Sequence, residues 1–229
     1  MMHQVFTHSV EDYLKTIYSI AGENGRATTN QLAERMGVKP ASVTGMVQKM
    51  AMADPPLLLY HKHQGVELTP QGVKAALEII RHHRLLELFL QQSLGYSWDK
   101  VHAEADRLEH VISEELEDRI AQVLGNPSHD PHGEPIPTRD LQLPASSVIP
   151  LSELRKGQEV IVERVDTIDQ DMLRYLSTIG LVPGAQVRVL DYSPFDENIR
   201  LIIKGQADSM VLGQHITQHI FVNPVHTEL

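Results

Sequence analysis

The sequence of 229 residues contains no cysteine. This absence excludes disulfides, thiolate catalysis and every zinc or iron–sulfur site that is built on cysteine. Any metal ion must therefore be held by nitrogen and oxygen atoms. Imidazole and carboxylate ligands suit Mn(II), Fe(II), Co(II) or Zn(II), and the lack of a soft sulfur ligand favours Mn(II) or Fe(II), with Co(II) or Zn(II) as surrogates.

Long apolar runs are also missing from the sequence. No stretch approaches the roughly 18 residues of a membrane-spanning helix, and residues 1–12 lack the basic start and apolar middle of a signal peptide. We therefore expect a cytoplasmic protein without a membrane partner. Hydrophobic residues make up 41% of the chain, which is ordinary for a globular protein, and the length predicts two or three small domains.

Positive charge is scarce, since the formal net charge is −10. The deficit is uneven along the chain. Residues 1–75 carry seven basic and six acidic side chains, residues 76–146 carry six and thirteen, and residues 147–229 carry seven and eleven. Because acidic surfaces repel phosphate, the N-terminal segment is the part best suited to contact nucleic acid.

A charged run in the middle of the chain, HAEADRLEH, predicts a metal site. Four metal-capable side chains fall on one face of a single predicted helix, at positions i, i+4, i+7 and i+8: His102, Asp106, Glu109 and His110. The usual meaning of such a run is a solvated helix face. This helix, however, has a separate apolar stripe beside the polar face.

Two other predicted helices bring further candidate ligands. One carries His83 and Glu87 four residues apart, and the N-terminal helix offers Glu11 and Asp12. Three helices thus each present groups that bind metals. This convergence favours a metal site over a solvated face.

The first 75 residues have the pattern of a winged helix-turn-helix. A first helix is predicted from about Val10 to Ala21, and a second helix follows an N-cap at Thr29 or Asn30. Pro40 suits the first position of the third helix, where a missing N–H costs nothing. Apolar residues at 57–60 and 66–68 predict a hairpin, which would be the wing. A small helical domain without a nucleic-acid partner is the alternative.

The outer face of the third helix suits a close approach to DNA. Small residues let a helix come near base edges, while lysine and hydroxyl side chains reach phosphates. The expected DNA contacts, including one wing lysine, are Lys39, Ala41, Ser42, Thr44, Gln48, Lys49 and Lys62.

The remainder of the chain is predicted to contain a helical segment and a β-domain. Amphipathic helices in residues 75–124 could form a dimer interface or an internal core. Six prolines between Gly125 and Pro150 predict an irregular, solvated linker that includes His129 and His132. Short strands punctuated by Gly and Pro then predict a small β-barrel. The fold class is therefore mainly α with a β C-terminal domain.

Taken together, these segments resemble the diphtheria-toxin-repressor family of metal-dependent transcriptional regulators. The resemblance spans nearly all of residues 8–137. It is carried by SVEDYLKTIY (Ser9 to Tyr18), QLAERMGVKPASVTGMVQKM (Gln31 to Met50), GVELTPQG (Gly65 to Gly72), HHRLLELFL (His82 to Leu90) and DKVHAEADRLEHVISEELEDRI (Asp99 to Ile120). It implies a winged helix-turn-helix at 1–75, a helical dimerisation and metal-binding domain at 76–140, a linker at 141–150 and an SH3-like, FeoA-type domain at 151–229.

The resemblance also implies two metal sites. The activating site would use Asp12, Asp106, Glu109 and His110. The second site would use His83, Glu87 and His102, and the C-terminal domain could complete it through Asp169, with Asp171 next in line. In manganese-type relatives, the residue at His83 would instead help to hold the main ion. An Asp-rich helix N-terminus, shaped by capping alone, is the alternative for Asp169.

The chain departs from the iron-responsive pattern of that family. Those relatives have a methionine and a cysteine where this chain has Asp12 and Asp106, so the carboxylates resemble the manganese-responsive branch. That branch places a glutamate one turn after its N-terminal aspartate, where this chain has Lys15.

The function that the sequence predicts is a homodimeric regulator, not an enzyme. Mn(II) or Fe(II) would dock the N-terminal helix and fix the dimer for binding to an inverted-repeat operator in double-stranded DNA. The target genes would be those of metal uptake. A metalloenzyme or a metal-storage module that uses the same cluster is the alternative.

Overall fold

A computed structural model of the protein describes residues 6–167 and 169–225. By compactness the described residues form two units. Unit 1 contains the residues up to 82 together with 109–112 and 137–142. Unit 2 contains residues 83–108, 113–136 and those from 143 onward.

Unit 1 is a winged helix-turn-helix, as predicted. Its elements are α1 (His8–Asn24), α2 (Thr29–Met36), α3 (Pro40–Ala51), β1 (Leu58–His61), β2 (Gly65–Leu68) and the first half of α4 (Pro70–Leu94). Thr28 and Gln31 cap α2 reciprocally through side chain and backbone, which satisfies the free N–H groups of the first turn. Pro40 begins α3 as the sequence indicates.

The wing is an antiparallel hairpin in which Leu58 pairs with Leu68 and His61 with Gly65. Val66 also forms a bridge to Ala27, just before α2. A side chain at Gly65 would place its Cβ 2.5 Å from the Ala27 carbonyl oxygen. Glycine therefore permits the close approach of the wing to the helix-turn-helix.

The core of unit 1 forms where α1, α2 and α3 turn their apolar faces toward each other. Its fully buried large side chains are Leu14, Ile17, Leu32, Met50 and Leu58. Burial of each such side chain contributes on the order of 2 kcal/mol to folding. The core therefore holds α1, which carries Asp12, firmly against the predicted DNA-reading helices.

Unit 2 combines helices with the β-domain. Its helical part comprises the second half of α4, α5 (Val101–Leu108) and α6 (Glu114–Val123). Its sheet has five antiparallel strands in the order β6-β5-β4-β3-β7. The strands and their helices are β3 (Glu159–Val165), α7 (Gln170–Ile179), β4 (Gln186–Tyr192), β5 (Ile199–Ile203), β6 (Met210–Leu212), α8 (Gln214–Thr217) and β7 (Ile220–Pro224).

The hydrophobic core of unit 2 includes one buried residue from outside the β-domain. Trp98, between α4 and α5, belongs to the same buried cluster as Leu173, Val189 and Ile199. The Trp98 Nε1–H donates to the carbonyl oxygen of Pro131 at 2.9 Å. The β-domain is thus packed together with the residues that precede it.

The structure corrects the predicted length of the central helix. A single helical face was expected to carry His102, Asp106, Glu109 and His110, but α5 ends at Leu108 and residues 109–111 form a turn. Ser113 then caps α6, where its side chain accepts from the Leu116 N–H. Glu109 and His110 therefore lie in the connection between α5 and α6, and both belong to unit 1.

The structure also corrects the picture of a solvated linker. Residues 124–150 have no helix or strand, as the prolines predict. However, Asp130, His132 and Ile136 are buried within this segment. Side-chain and backbone contacts to α4 and β3, described below, hold it in place.

Candidate metal centre and DNA interface

The first cluster of metal-capable groups lies in unit 1. One ligand atom each from Asp12, Glu109 and His110 lies within 4.8 Å of the others. The Nε2 of His110 is 3.0 Å from Oδ1 of Asp12 and 3.4 Å from Oε1 of Glu109. Helix α1 and the turn after α5 therefore bring together three of the four ligands that were assigned to the activating site.

The ring of His110 is oriented by groups that are not themselves in this triad. Its Nδ1 lies 2.7 Å from Oε2 of Glu11, and the ring of His8 stacks on it at 4.8 Å. A carboxylate that accepts from one ring nitrogen fixes the tautomer and raises the basicity of the other. Nε2 is thus the nitrogen that faces the two other ligands.

Glu109 is the buried member of the first cluster, with 1% of its side chain exposed. The ammonium of Lys15 lies 2.7 Å and 2.9 Å from its two carboxylate oxygens. The Glu109 carbonyl oxygen is 3.1 Å from Nδ1 of His82. These contacts fix both the backbone and the carboxylate of Glu109.

A second cluster lies in unit 2, where α4 and α5 face each other. Oε1 of Glu87, Nε2 of His83 and Nδ1 of His102 lie 3.0 Å from one another. Asp106 joins them, with its oxygens 3.3 Å from His83 Nδ1 and 3.5 Å from His102 Nε2. The three ligands expected for the second site are therefore together, and the distances link Asp106 to this cluster. Its assignment to the activating site stays a prediction.

A third cluster shares Glu87 and was not predicted. Ligand atoms of Glu87, Asp130 and His132 lie within 4.8 Å of one another, and all three residues are buried. Nδ1 of His132 is 3.8 Å from Oε2 of Glu87. Nε2 of His132 is 3.1 Å from the Trp98 carbonyl oxygen.

Several charged groups meet around the buried carboxylate of Glu87. Burial alone would raise the pKa of Glu87, but the charge of His83 and the contacts with His102 and His132 hold that pKa well below its usual value. Burial and the negative charge of Glu87 raise the pKa of Asp130 to about 8. Burial lowers the pKa of His132, yet Glu87 and Asp130 outweigh it and the net shift is upward. Protons therefore occupy this cluster near neutral pH, and a cation bound there would release them.

The donor sets fit a hard or borderline divalent cation. Each cluster offers imidazole nitrogen and carboxylate oxygen, which Mn(II), Fe(II) and Zn(II) accept. In the first cluster, the contact of Glu11 with Nδ1 of His110 leaves Nε2 as the ligand atom. An arrangement of this kind is typical of histidines that bind metals.

Asp169 is engaged in its own helix. Its Oδ1 accepts from the backbone N–H groups of Asp171 and Met172 at 2.9 Å and 3.1 Å, so it is the N-cap of α7. These contacts favour the capping alternative. The ligand role of Asp169 remains a prediction.

The expected DNA contacts lie on the surface of unit 1. On α3, the side chains that face inward are Val43, Val47 and Met50. The exposed candidates on or beside α3 and in the wing are Lys39, Ala41, Ser42, Gln48, Lys49 and Lys62. Thr44 is only partly exposed, and its hydroxyl donates to the Pro40 carbonyl oxygen at 3.1 Å. The geometry is compatible with the predicted recognition face.

Comparison with known families matches nearly the whole chain. Residues 5–66 match the iron dependent repressor, N-terminal DNA binding domain. Residues 69–138 match the iron dependent repressor, metal binding and dimerisation domain. Residues 149–224 match the FeoA domain.

Individual relatives agree with these matches. The iron-dependent repressor IdeR of Mycobacterium leprae is 35% identical over 230 residues, which cover 95% of this chain and 97% of that protein. The chain belongs to the iron-dependent repressor family. Among solved structures, a manganese-dependent transcriptional repressor in complex with manganese is 39% identical, with a TM-score of 0.87 over 94% of this chain and all of the other. ScaR with bound Zn²⁺ is 35% identical, with a TM-score of 0.79 over 94% of this chain and 99% of the other.

As a member of the iron-dependent repressor family, the chain is a metal-dependent, DNA-binding transcriptional regulator and not an enzyme. The family match also gives it a dimerisation domain. Within residues 6–167 and 169–225, no helix combines the length and the apolar character that crossing a membrane requires.

Three residues that contribute to these clusters were missed or undervalued in the sequence. Glu11 was noted beside Asp12 but was not assigned a role. Asp130 and His132 lie in a proline-rich segment whose composition predicts a solvated loop. Their burial results from contacts of that segment with α4, and such contacts leave no hydrophobic periodicity in the sequence.

Proposed function

We propose that this regulator responds to Mn(II), with Fe(II) as the other physiological candidate, and represses metal-uptake genes from a cytoplasmic location. The harder carboxylate ligands at Asp12 and Asp106 support Mn(II), because sulfur ligands would favour softer ions. The similarity to a manganese-dependent repressor in complex with manganese and to ScaR with bound Zn²⁺ supports a divalent ion of this group.

The observation that carries the proposal is the first cluster. Asp12, Glu109 and His110 would hold the activating ion, with Glu11 orienting the imidazole. The carboxylates of Asp12 and Glu109, together with that of Glu11 beside them, repel one another by about 1–4 kcal/mol per pair at surface-like dielectric. A divalent cation supplies the charge that offsets this repulsion. Asp12 would then hold α1, and with it the helix-turn-helix, to the turn at residues 109–110.

The remaining ligands would form one further metal site in unit 2. We assign His83, Glu87, His102 and Asp106 to it by their mutual distances. Asp130 and His132 extend the same site through Glu87. Asp169 is kept as a candidate, which Asp169→Ser tests because serine preserves the helix cap. Unchanged metal stoichiometry in that variant would exclude Asp169 as a ligand.

Operator binding would use two copies of α3. A homodimer that places two recognition helices about 34–36 Å apart reads an inverted repeat on one face of DNA. The contacts with DNA would come from α3, from its N-cap Lys39 and from the wing residue Lys62; those on α3 itself would be Ala41, Ser42, Thr44, Gln48 and Lys49.

The test is DNA binding with and without Mn(II), measured by fluorescence anisotropy on the upstream region of the protein's own gene. Mn(II) should strengthen binding by at least about tenfold, a typical allosteric coupling. Asp12→Ala should abolish this stimulation, while the exposed control Asp208→Ala should retain it. Binding that is indifferent to Mn(II), or stimulation that survives in Asp12→Ala, would contradict the proposal.

A further inference from the structure

A lysine ammonium is paired with Glu109, one of the ligands of the proposed metal site. Lys15 lies one turn after Asp12 on α1, and its Nζ contacts both carboxylate oxygens of Glu109 at 2.7 Å and 2.9 Å. The Glu109 side chain is 1% exposed, whereas the Lys15 side chain is 23% exposed. A buried carboxylate therefore has a cationic partner that keeps a route to solvent.

We propose that Lys15 is a resident counter-cation of Glu109, which a divalent ion must displace, so that Lys15 sets the metal affinity of the first cluster. The inference rests on the metal site proposed above. A buried carboxylate without a partner is strongly destabilising. Lys15 removes that penalty in the metal-free protein, and the same contact competes with the metal for the oxygens of Glu109.

The chemistry of lysine suits displacement. Its charge sits at the end of a flexible four-carbon stem and is strongly hydrated. Because the Lys15 side chain is partly exposed, its ammonium can return to water without leaving a buried charge. An arginine fork would bind both oxygens of Glu109 in a more rigid, planar geometry and would leave less readily.

The charge balance limits the cluster to one divalent ion. Glu11, Asp12 and Glu109 carry three negative charges, and Lys15 carries one positive charge. One divalent ion offsets two of the three negative charges, and the displaced Lys15 ammonium, which stays tethered to α1 nearby, offsets the third. A second divalent ion would leave the cluster with an excess of positive charge, so we expect it to bind a single ion.

The first experiment compares full-length wild type with Lys15→Met by Mn(II) titration against a chromophoric chelator. Removal of a unit charge beside the ligands should tighten Mn(II) binding by at least about tenfold. The melting temperature of the metal-free variant should fall, since Glu109 loses its contact with the Lys15 ammonium. Lys74→Met, which removes an exposed lysine from α4, is the control and should change neither quantity. Lys15→Arg should bind Mn(II) no more tightly than wild type.

A second measurement needs no substitution. If Mn(II) displaces the ammonium, reductive methylation of wild-type Lys15 should accelerate several-fold on Mn(II) addition, as read by mass spectrometry, while that of Lys74 should not. Unchanged Lys15 reactivity, or affinity in Lys15→Met that is equal to or weaker than wild type, would overturn the inference. The proposed site itself would fail separately, if Asp12→Ala bound Mn(II) as tightly as wild type.

Discussion

At the scale of single residues, the neighbours of His110 hold its imidazole in an orientation that suits the binding of a cation. The Glu11 carboxylate accepts a hydrogen bond from Nδ1 of His110, and the His8 ring stacks on the same imidazole. Its Nε2 faces Asp12. Because the ring is already oriented, little conformational entropy is lost when Nε2 binds an ion. Glu11 is therefore expected to influence metal affinity without itself contacting the ion.

Replacement of Glu11 by alanine should weaken Mn(II) binding by about 10–100-fold, which is the usual effect of removing an outer partner of a ligating histidine. The dissociation constant from Mn(II) titration checks this. Glu34→Ala, at an exposed position of α2, is the matched control. Equal affinity in Glu11→Ala and wild type would show that Glu11 does not orient a ligand.

Asp99 provides a residue-scale prediction about pH. Burial would raise its pKa, but hydrogen bonds from Ser97 and Arg174 outweigh burial and lower that pKa below the usual value. A carboxyl whose pKa is lowered on folding adds stability above its unfolded pKa, near 3.8, and this contribution is lost as pH falls through the folded pKa.

Asp99→Asn should therefore reduce the free energy of unfolding at neutral pH. The deficit relative to wild type should begin to shrink as pH falls below about 4, where the unfolded carboxyl is protonated first, and should be lost only below the lowered folded pKa. Urea denaturation across this pH range measures the difference. Asp208→Asn, at an exposed position, should show no such trend, and a constant deficit in Asp99→Asn at all pH values would contradict the assignment.

At the scale of elements, the segment at residues 130–136 connects α4 to the β-domain. The Glu134 carboxylate binds Arg84 on α4 at 2.9 Å and Arg164 on β3 at 2.8 Å. The His132 carbonyl accepts from the Val165 N–H at 2.8 Å. A Cβ at Gly133 would lie 1.9 Å from the Glu163 carbonyl oxygen, and the φ of Gly133 is +85°. The segment thus depends on glycine for its close approach to β3.

Glu134→Gln should lower the free energy of unfolding by about 1–3 kcal/mol, since hydrogen bonds to two charged, largely buried groups are weakened. Chemical denaturation measures the change. Glu115→Gln removes an exposed carboxylate that lies 3.7 Å from Arg119 and should cost less than about 0.5 kcal/mol. A loss in Glu134→Gln no larger than in this control would show that the bridge contributes little.

Elements with a strong local signal could be predicted from the sequence. The wing, the Pro40 start of α3 and the strand Glu159–Val165 follow from turn residues and alternation. The end of α5 at Leu108 could not be predicted in the same way, because the polar residues keep helical spacing through His110. The signal that decides it is Ser113, which caps α6. The candidate ligands were found by residue type, whereas their partition between clusters depends on contacts between distant segments.

At the scale of the whole molecule, an acidic protein must bind DNA through one restricted surface. The net charge is −10, and the exposed lysines of α3 and the wing lie in the segment with a small basic excess. Phosphate contacts from few lysines make each of them important for affinity and for its dependence on salt.

Lys49→Ala should weaken operator binding and reduce the slope of log affinity against log salt by about one. Mn(II) affinity measured without DNA should not change. Lys74→Ala is the control for the loss of one positive charge from unit 1. A slope identical to wild type in Lys49→Ala would remove Lys49 from the phosphate contacts.

Trp98 is the sole tryptophan of the chain, and its ring stacks on that of His132 at 5.2 Å. Its fluorescence therefore originates beside the third cluster. An imidazolium quenches an excited indole more efficiently than a neutral imidazole does, so emission intensity follows the protonation of His132. Loss of that proton should therefore brighten the protein. The fold thus provides an intrinsic optical reporter of its buried cluster, and it needs no added label.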